Sequence, residues 1–266
     1  MITTLDGIVA GMQTQRPFLK TGIGMAAVGA IRAYNPRYAT GNPGTATAPT
    51  PGVNGAAVTG PGSQIFRVNP STGFAYVAGV DMAATTSGTL WLIDRMWENS
   101  GLSTTLTTSQ AITPAALPAR DNDGLTDGTG VYAAIEWSVV GGAGTPTATL
   151  TYTNEDGITA RTATLASVAT PPVGTFEIFT PQQVFGGVRA PTAFIWSATH
   201  TSGTFHLVLF RKLLSVSCPL ANVQGMVDSI SGRFPRVYDN SNLEFVWFST
   251  STTAVNLFGG YTETHG

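Results

Sequence analysis

The sequence predicts an all-β protein with a jelly-roll-like β-sandwich, preceded by a short N-terminal helix and an extended arm rich in proline and glycine. Three observations lead there: nine short segments rich in Val, Ile, Thr and aromatic residues, turn residues between them, and one segment that is apolar on both faces. Such side chains suit a pleated, half-buried surface, and Gly, Pro, Asn and Asp separate strands. About nine strands of this kind are typical of a sandwich or a barrel, and the sequence leaves the choice between them open.

The first fourteen residues predict a short amphipathic helix. A period of 3.6 residues places four apolar side chains on one face: Leu5, Ile8, Val9 and Met12. Thr4 is the expected N-cap, although Thr3 would serve as well. A helix this short is marginal in isolation. The four apolar residues are therefore the predicted interaction site, which docks on the protein's own body or on a neighbour.

The rest of the first 63 residues gives less local information. Residues 21–34 are small and apolar, and both strand and helix remain possible there. Residues 40–63 are dominated by Gly, Ala, Pro and Thr, so they bury too little apolar surface to offset their ordering entropy. We expect residues 1–63 to form a helix and an extended arm, and residues 64–266 to form the β-sandwich body.

The β-rich remainder contains the predicted strands. They are Phe74–Val80, Gly88–Met96, Val131–Val140, Thr147–Thr153, Thr159–Ala166, Thr175–Phe179, Thr192–Thr199, Thr204–Leu214 and Leu243–Ser249. A hairpin is expected over Thr147–Leu165, because Asp156-Gly157 suits a tight turn and the first run alternates strictly between Thr and apolar residues. The segment Phe205–Arg211 is apolar on both faces, which indicates an inner strand between two layers.

The composition favours a protein that is covered by neighbours in an assembly. Charged residues make up 11% of the chain and the net charge is −2, whereas an ordinary soluble domain carries about 25%. No basic stripe indicates a nucleic-acid partner, and the apolar stretch 22–31 is too short to cross a membrane. The start of the chain does not resemble a signal peptide, so we expect folding in the cytoplasm. Cys218, the single cysteine, is expected in the core.

A metal site is considered at the acidic loop 121–128. Asp121, Asp123 and Asp127 resemble the first half of a calcium-binding loop, but position 132 is Tyr instead of the closing bidentate Glu. Asp and Gly also cluster in ordinary turns. The turn interpretation is therefore preferred, and no metal or other cofactor is predicted.

No catalytic residue is predicted, because no known catalytic motif occurs. We expect His206 to be a hydrogen-bonded residue of the core or of a sheet face, and His265 to be mobile. Four carboxylates near strands, which are Asp94, Glu98, Glu136 and Glu177, are assigned to ion pairs with Arg95, Arg161 or Arg211, with a glycosidase pair as the alternative. The five tryptophans are expected in the core, with a sugar-binding face as the alternative.

Several of these segments resemble those of virion structural proteins of tailed bacteriophages, and the resemblance runs nearly from end to end. The segments that carry it are Gln15–Thr21, Leu90–Gly101, Pro118–Gly124, Thr151–Thr162, Leu220–Val223, Arg233–Asn240 and Phe245–Thr250. They denote no catalytic chemistry and correspond to turns and strand ends. The resemblance implies a component of the virion without fixing its place in the particle.

Composition and resemblance together predict a non-enzymatic capsid decoration, or cement, protein on a phage head. Its expected partners are the major capsid protein and further copies of itself, with a trimer suggested by threefold lattice points. The helix and arm are the expected contact elements, so deletion of residues 1–63 is expected to leave a folded body that no longer binds the head. Two alternatives remain: a tail, neck or baseplate component, and a host-surface carbohydrate-binding or carbohydrate-cleaving module.

Overall fold

The computed structural model describes residues 4–60, 62, 64–66, 70, 73–181, 186–228 and 235–266. Within these residues the chain forms one short α-helix, one 3₁₀ turn at Pro36–Tyr38 and nineteen strands. In chain order they are α1 (Leu5–Ala10), β1 (Arg16–Ile23), β2 (Arg32–Tyr34), β3 (Thr40–Asn42), β4 (Ala56–Ala57), β5 (Ile65–Phe66), β6 (Ala75–Ala84), β7 (Gly88–Glu98), β8 (Gln110–Ala111), β9 (Val131–Val139), β10 (Thr147–Asn154), β11 (Arg161–Ala166), β12 (Thr175–Ile178), β13 (Thr180–Pro181), β14 (Val188–Trp196), β15 (Thr204–Cys218), β16 (Gly225–Asp228), β17 (Arg236–Val237), β18 (Asn242–Ser249) and β19 (Val255–His265).

The prediction of an all-β, sandwich-like fold is confirmed, and each of the nine predicted strands is present. The predicted helix is also present, with the Thr4 side chain accepting a hydrogen bond from the backbone N–H of Gly7 at 3.1 Å. Thr3 lies outside the described residues. The long strands β1 and β19 were not predicted, and His265, expected to be mobile, is the last residue of β19 and pairs with Ala75.

Six antiparallel strands close into a central ring, in the order β7, β15, β9, β12, β2, β18 and back to β7. The contact between β2 and β18 is a single residue pair, Tyr34 with Trp247, whereas β18 pairs with β7 along seven residues. One apolar cluster draws side chains from all six strands, so it fills the interior of the ring. The architecture therefore combines a small barrel with sandwich packing, the two arrangements that the sequence left open.

Two further sheets pack on the outside of the ring. The terminal sheet has the order β16-β6-β19-β1-β3, with β17 also paired to β6, and the hairpin sheet has the order β13-β11-β10-β14-β8. Leu90, Leu92 and Phe245 of the ring pack against the terminal sheet. Ile135, Trp137 and Leu207 of the ring pack against the hairpin sheet. The described residues thus bury three apolar clusters, one inside the ring and one under each flanking sheet.

The alternation of the sequence explains how these layers form. In β15, Phe205, Leu207 and Leu209 face the hairpin sheet, while Val208 and Phe210 face the ring interior. The predicted hairpin is present as β10 and β11, and its turn is closed by a 3.0 Å hydrogen bond from Gly157 N to Asn154 O. Because successive side chains of a strand point to opposite faces, a strand buried on both sides is apolar throughout.

The Pro/Gly-rich segment lies along its own chain. The Lys20 ammonium, fully buried, donates to the carbonyl oxygens of Ala39 at 2.9 Å and Gly44 at 3.2 Å. Burial lowers the pKa of Lys20 to about 8. Further along, Arg37 donates to the carbonyl oxygens of Thr47 and Gly62. These bonds hold the two ends of the segment 44–62 on the body.

The expected division between residues 63 and 64 does not separate two structural units. Strand β1 lies between β19 and β3 in the terminal sheet, and β2 completes the central ring. Phe18 and Ile23 of β1 are buried in the core beneath that sheet. Strands within the first 63 residues therefore belong to the same sheets as the rest of the chain. This arrangement differs from the expected one, in which residues 64–266 form the β-sandwich body without them.

We predict that a chain starting at residue 64 does not fold, because it lacks β1 and the strand that closes the ring. A chain starting at residue 13, which lacks only the helix region, is the matched control and is expected to fold. Thermal unfolding followed by far-ultraviolet circular dichroism tests both chains. A cooperative transition in the chain that starts at residue 64 would contradict the prediction.

Candidate functional site

The predicted interaction residues lie at one end of the terminal sheet. Helix α1 is attached there through a 2.8 Å hydrogen bond from Thr264 Oγ1 to the carbonyl oxygen of Ile8. Ile8 is buried, whereas Leu5 is 59%, Val9 63% and Met12 48% exposed. Ile8 therefore docks the helix on its own body, and the other three side chains of the predicted face are open to solvent.

A shallow groove continues this apolar surface across the sheet. Met12 lines it together with Met226 of β16, which is 65% exposed. The groove has a volume of about 270 Å³, and its lining also includes Ala78 and Val80 as well as the polar residues Gln15, Asp81, Asp228 and Thr262. We call Leu5, Val9, Met12 and Met226 the helix surface. Exposed apolar side chains gathered in one patch are typical of a contact site for another protein.

The acidic loop is organised by Asp121, which is fully buried. Its Oδ1 accepts hydrogen bonds from the backbone N–H groups of Asp123 and Leu125, and its Oδ2 accepts one from Gly128. Asp127 accepts from the backbone and the hydroxyl of Thr129, which lowers the pKa of Asp127. Both carboxylates thus have local partners, and no group of three potential metal ligands converges among the described residues.

A cluster of buried charged side chains occupies one half of the ring interior. Arg95 of β7, fully buried, forms ion pairs with Glu136 of β9 at 2.5 Å, Glu244 of β18 at 2.9 Å and Glu98 at 2.9 Å. Arg37 adds a second guanidinium 3.3 Å from Glu244. Burial would raise the pKa of Glu136, but Arg95 and Arg37 hold it below its usual value.

Neutral side chains complete this cluster. The Asn35 side-chain amide donates to Glu136 at 2.8 Å and to Glu244 at 2.6 Å, and its Oδ1 accepts from the side-chain amide of Gln64 at 2.7 Å. The Tyr38 hydroxyl donates to Glu136 at 3.2 Å. The glutamates are therefore engaged by arginine, amide and hydroxyl donors, an arrangement that stabilises ionised carboxylates instead of preparing one as a general acid.

The other predicted carboxylates have structural partners as well. Asp94 lies 3.3 Å from Arg120 and 3.4 Å from Arg211. Glu177 accepts from the indole N–H of Trp137 at 3.2 Å and from the Ser167 hydroxyl at 2.9 Å, and burial raises its pKa. The expected partners Arg95 and Arg211 are present. Among the described residues Arg161 forms no ion pair with these carboxylates.

His206 is held in one tautomer by two neighbours inside the ring. Its Nδ1 lies 2.9 Å from the carbonyl oxygen of Asn99, which can only accept, so Nδ1 carries the proton. Its Nε2 then accepts from the Ser138 hydroxyl at 2.6 Å. Burial lowers the pKa of His206. Of the two positions that the sequence left open, His206 thus occupies the core, with hydrogen bonds to both ring nitrogens.

Most of the tryptophans lie in the core, as expected. Trp97, Trp137, Trp196 and Trp247 are fully buried. Trp91 is partly buried, and the Lys212 ammonium lies 4.1 Å from its ring centroid. The aromatic face proposed for sugar binding is therefore not formed by the four buried rings. Cys218 is buried too, with its thiol donating to the carbonyl oxygen of Met82 at 3.2 Å.

Sequence reasoning missed Asn35 and Arg37 of the charged cluster and Met226 of the helix surface. Arg37 and Asn35 lie beside the Pro/Gly-rich segment, with no strand pattern around them. Met226 follows a short loop, and its exposure depends on how β16 pairs with β6. Only the spatial arrangement brings Arg37 to the ring and Met226 to the helix. No described helix is long and apolar enough to cross a membrane.

Comparisons with known proteins do not identify a family. No family model matches the chain, and no curated protein matches it. Among solved structures, it is similar to the VP2 subviral particle of infectious bursal disease virus, with 10% sequence identity over 96% of this chain and 82% of that chain. The TM-score of this comparison is 0.14, which carries no argument about fold or function.

We predict that Arg95→Met lowers the free energy of unfolding by about 3–5 kcal/mol, because it leaves buried glutamates without their main counter-charge. Urea denaturation measures the change. Arg189→Met, at an exposed arginine of β14, is the control and should change the value by less than about 0.5 kcal/mol. Equal stability of the Arg95 variant and the native chain would contradict a compensating role for Arg95.

We also predict that the stability falls as the pH drops below about 6.5. The lowered pKa of His206 means that the unfolded chain binds a proton in this range while the folded chain does not, so acid favours unfolding. His200, also buried with a lowered pKa, acts in the same direction. Urea denaturation between pH 7.5 and about 5 should show a shallower decline in His206→Gln than in the native chain. The same slope in both proteins would refute the role of His206.

Proposed function

We propose that this chain is a non-enzymatic structural protein of a bacteriophage virion that decorates the head by binding the major capsid protein. The observation that carries the proposal is the helix surface, an exposed group of apolar side chains on a body with few charges. The resemblance of the sequence to phage virion proteins supplies the kind of particle. Assembly inside the host cell would precede its incorporation into the virion.

The helix surface has the properties of a contact that forms on assembly. Leu5 and Val9 project from a helix whose third apolar residue, Ile8, is already anchored. A helix that is already folded on its own body loses less conformational freedom on binding than an unfolded segment, so more of the burial energy remains for binding. Apolar burial contributes about 25 cal/mol per Å², and a specific interface totals about 1,200–2,000 Å². The groove beside Met226 extends the area available to the partner.

The internal charge clusters also support a structural role. Arg95 and Arg37 form ion pairs with the glutamates in the ring. Arg37 also donates to the carbonyl oxygen of Gly62, at the end of the segment 44–62. Their ion pairs join residues far apart in the sequence. Such an arrangement helps to hold several strands in one register, which suits a protein that must keep its shape on a particle.

The place of the protein is tested by labelling intact virions with antibody and gold and viewing them by electron microscopy. Label over the head is the expected result. Label confined to the neck, tail or baseplate would contradict head decoration and favour the tail component. Mass spectrometry of purified particles checks the broader proposal, and absence of the chain from the particles would refute it.

We predict that Val9→Lys reduces the amount of protein bound to undecorated heads by about tenfold or more, because a cation must then be desolvated at an apolar contact. Lysine in the last turn of a helix is compatible with the helix dipole, so the fold should be retained. Co-sedimentation with heads measures occupancy. Leu106→Lys, at an exposed leucine outside the helix surface, is the control, and equal occupancy of both variants would refute the proposed contact.

A further inference from the structure

The outer face of the hairpin sheet is a regular array of threonines. In β10, Ala148, Leu150 and Tyr152 are fully buried against the ring, so the alternate threonines point outward. Strand pairing aligns these threonines with outward residues of the neighbouring strands. One row across the sheet is Thr180, Thr164, Thr149 and Ile195, and the next is Thr162, Thr151, Ala193 and Ala111.

These rows contain no charged residue. Their hydroxyl groups can form hydrogen bonds with an identical set of groups. A carboxylate cannot pair with a carboxylate, nor an ammonium with an ammonium. A hydroxyl both donates and accepts, so an array of threonines can hydrogen-bond to an identical array. Threonine is also stiff at χ1, and its burial costs little side-chain entropy. The face is thus better suited to another copy of itself than to a strongly charged partner.

The size of the face also fits such a contact. The five strands β13, β11, β10, β14 and β8 have two, six, eight, nine and two residues, and each residue occupies about 16 Å² of a sheet. The planar area is on the order of 400 Å², and the projecting side chains add accessible surface to it. A stable interface needs about 800 Å² from each partner. The threonine rows and their margins are therefore of the right order for a dimer contact.

We propose that two copies of this chain stack through these threonine faces and form a symmetric dimer. A two-fold axis in the plane of the interface, running along the row of Thr180, Thr164, Thr149 and Ile195, places β11 over β11 and β14 over β14. Hydroxyl-rich strands then meet hydroxyl-rich strands, and Thr149 and Ile195 each face their own equivalent. The same axis moves the turn at Glu155 and Asp156 away from its copy, so these carboxylates do not face each other.

This arrangement gives a dimer in place of the trimer that lattice symmetry suggested, because each face is used by its own equivalent. It concerns the isolated chain and does not depend on where the protein sits in a virion. The contact lies on the hairpin sheet, whereas the proposed head contact lies on the terminal sheet. A dimer could therefore keep its helix surfaces free.

The test is the mass of the purified full chain in solution, measured by size-exclusion chromatography with light scattering at micromolar concentrations. The expected mass is twice 27.7 kDa. Thr149→Lys should weaken the dimer by about tenfold or more, because two lysines are brought together at the two-fold contact. Thr21→Lys, at an exposed threonine of β1 in the terminal sheet, should leave the dimer unchanged.

A cross-linking measurement covers the case in which Thr149→Lys impairs folding. The native Cys218 is fully buried, so a thiol introduced at the surface reacts selectively. A short bismaleimide should link Thr149→Cys chains into dimers and should leave Thr21→Cys chains unlinked. A monomeric or trimeric native chain, a dimer that survives Thr149→Lys, or equal cross-linking of both cysteine variants would overturn the proposal. A monomer would leave the virion labelling experiment unaffected, so the two proposals fail separately.

Discussion

Arg95 is the charge around which the central ring is organised. Taking a guanidinium out of water costs several kcal/mol unless carboxylates and hydrogen bonds compensate it. Here the compensation comes from Glu136 and Glu244 on two other strands of the ring, and from Glu98 at the end of the same strand. A shift of β9 or β18 by one residue would turn its glutamate to the opposite face. The ion pairs therefore constrain the register of the ring, and the two flanking sheets pack on strands placed by it.

The strands that could be predicted are those with strong local patterns. β10 alternates between threonine and apolar residues, and β15 is apolar on both faces over Phe205–Arg211. β19 escaped prediction because Gly259-Gly260 interrupts its pattern. β1 begins with Arg16-Pro17 and carries Lys20, which reads as polar although its ammonium is buried on backbone carbonyls. In both strands, pairing with distant residues outweighs weak local propensity.

The arrangement of the sites was harder to predict from the sequence than the strands were. The helical period identified all four members of the apolar face, but only the packing shows that Ile8 is buried while Leu5, Val9 and Met12 are not. Ion pairing was expected for Arg95, but its coupling to Arg37 required the segment 44–62 to fold back over the ring. Composition identified that segment as extended. It could not show which backbone carbonyl oxygens accept hydrogen bonds from Lys20 and Arg37, because no local sequence pattern links these donors to their acceptors.

Strand β15 has a mechanical consequence. Its fifteen residues extend for about 50 Å, with Leu207 packed under the hairpin sheet and Val216 packed under the terminal sheet. Hydrogen bonds to β9 and β7 run along its length. A force that pulls one flanking sheet away from the other along this strand would load those bonds in parallel, as shear, rather than opening them one at a time. The molecule would then resist stretching along β15 far better than peeling at the short strands on its edges.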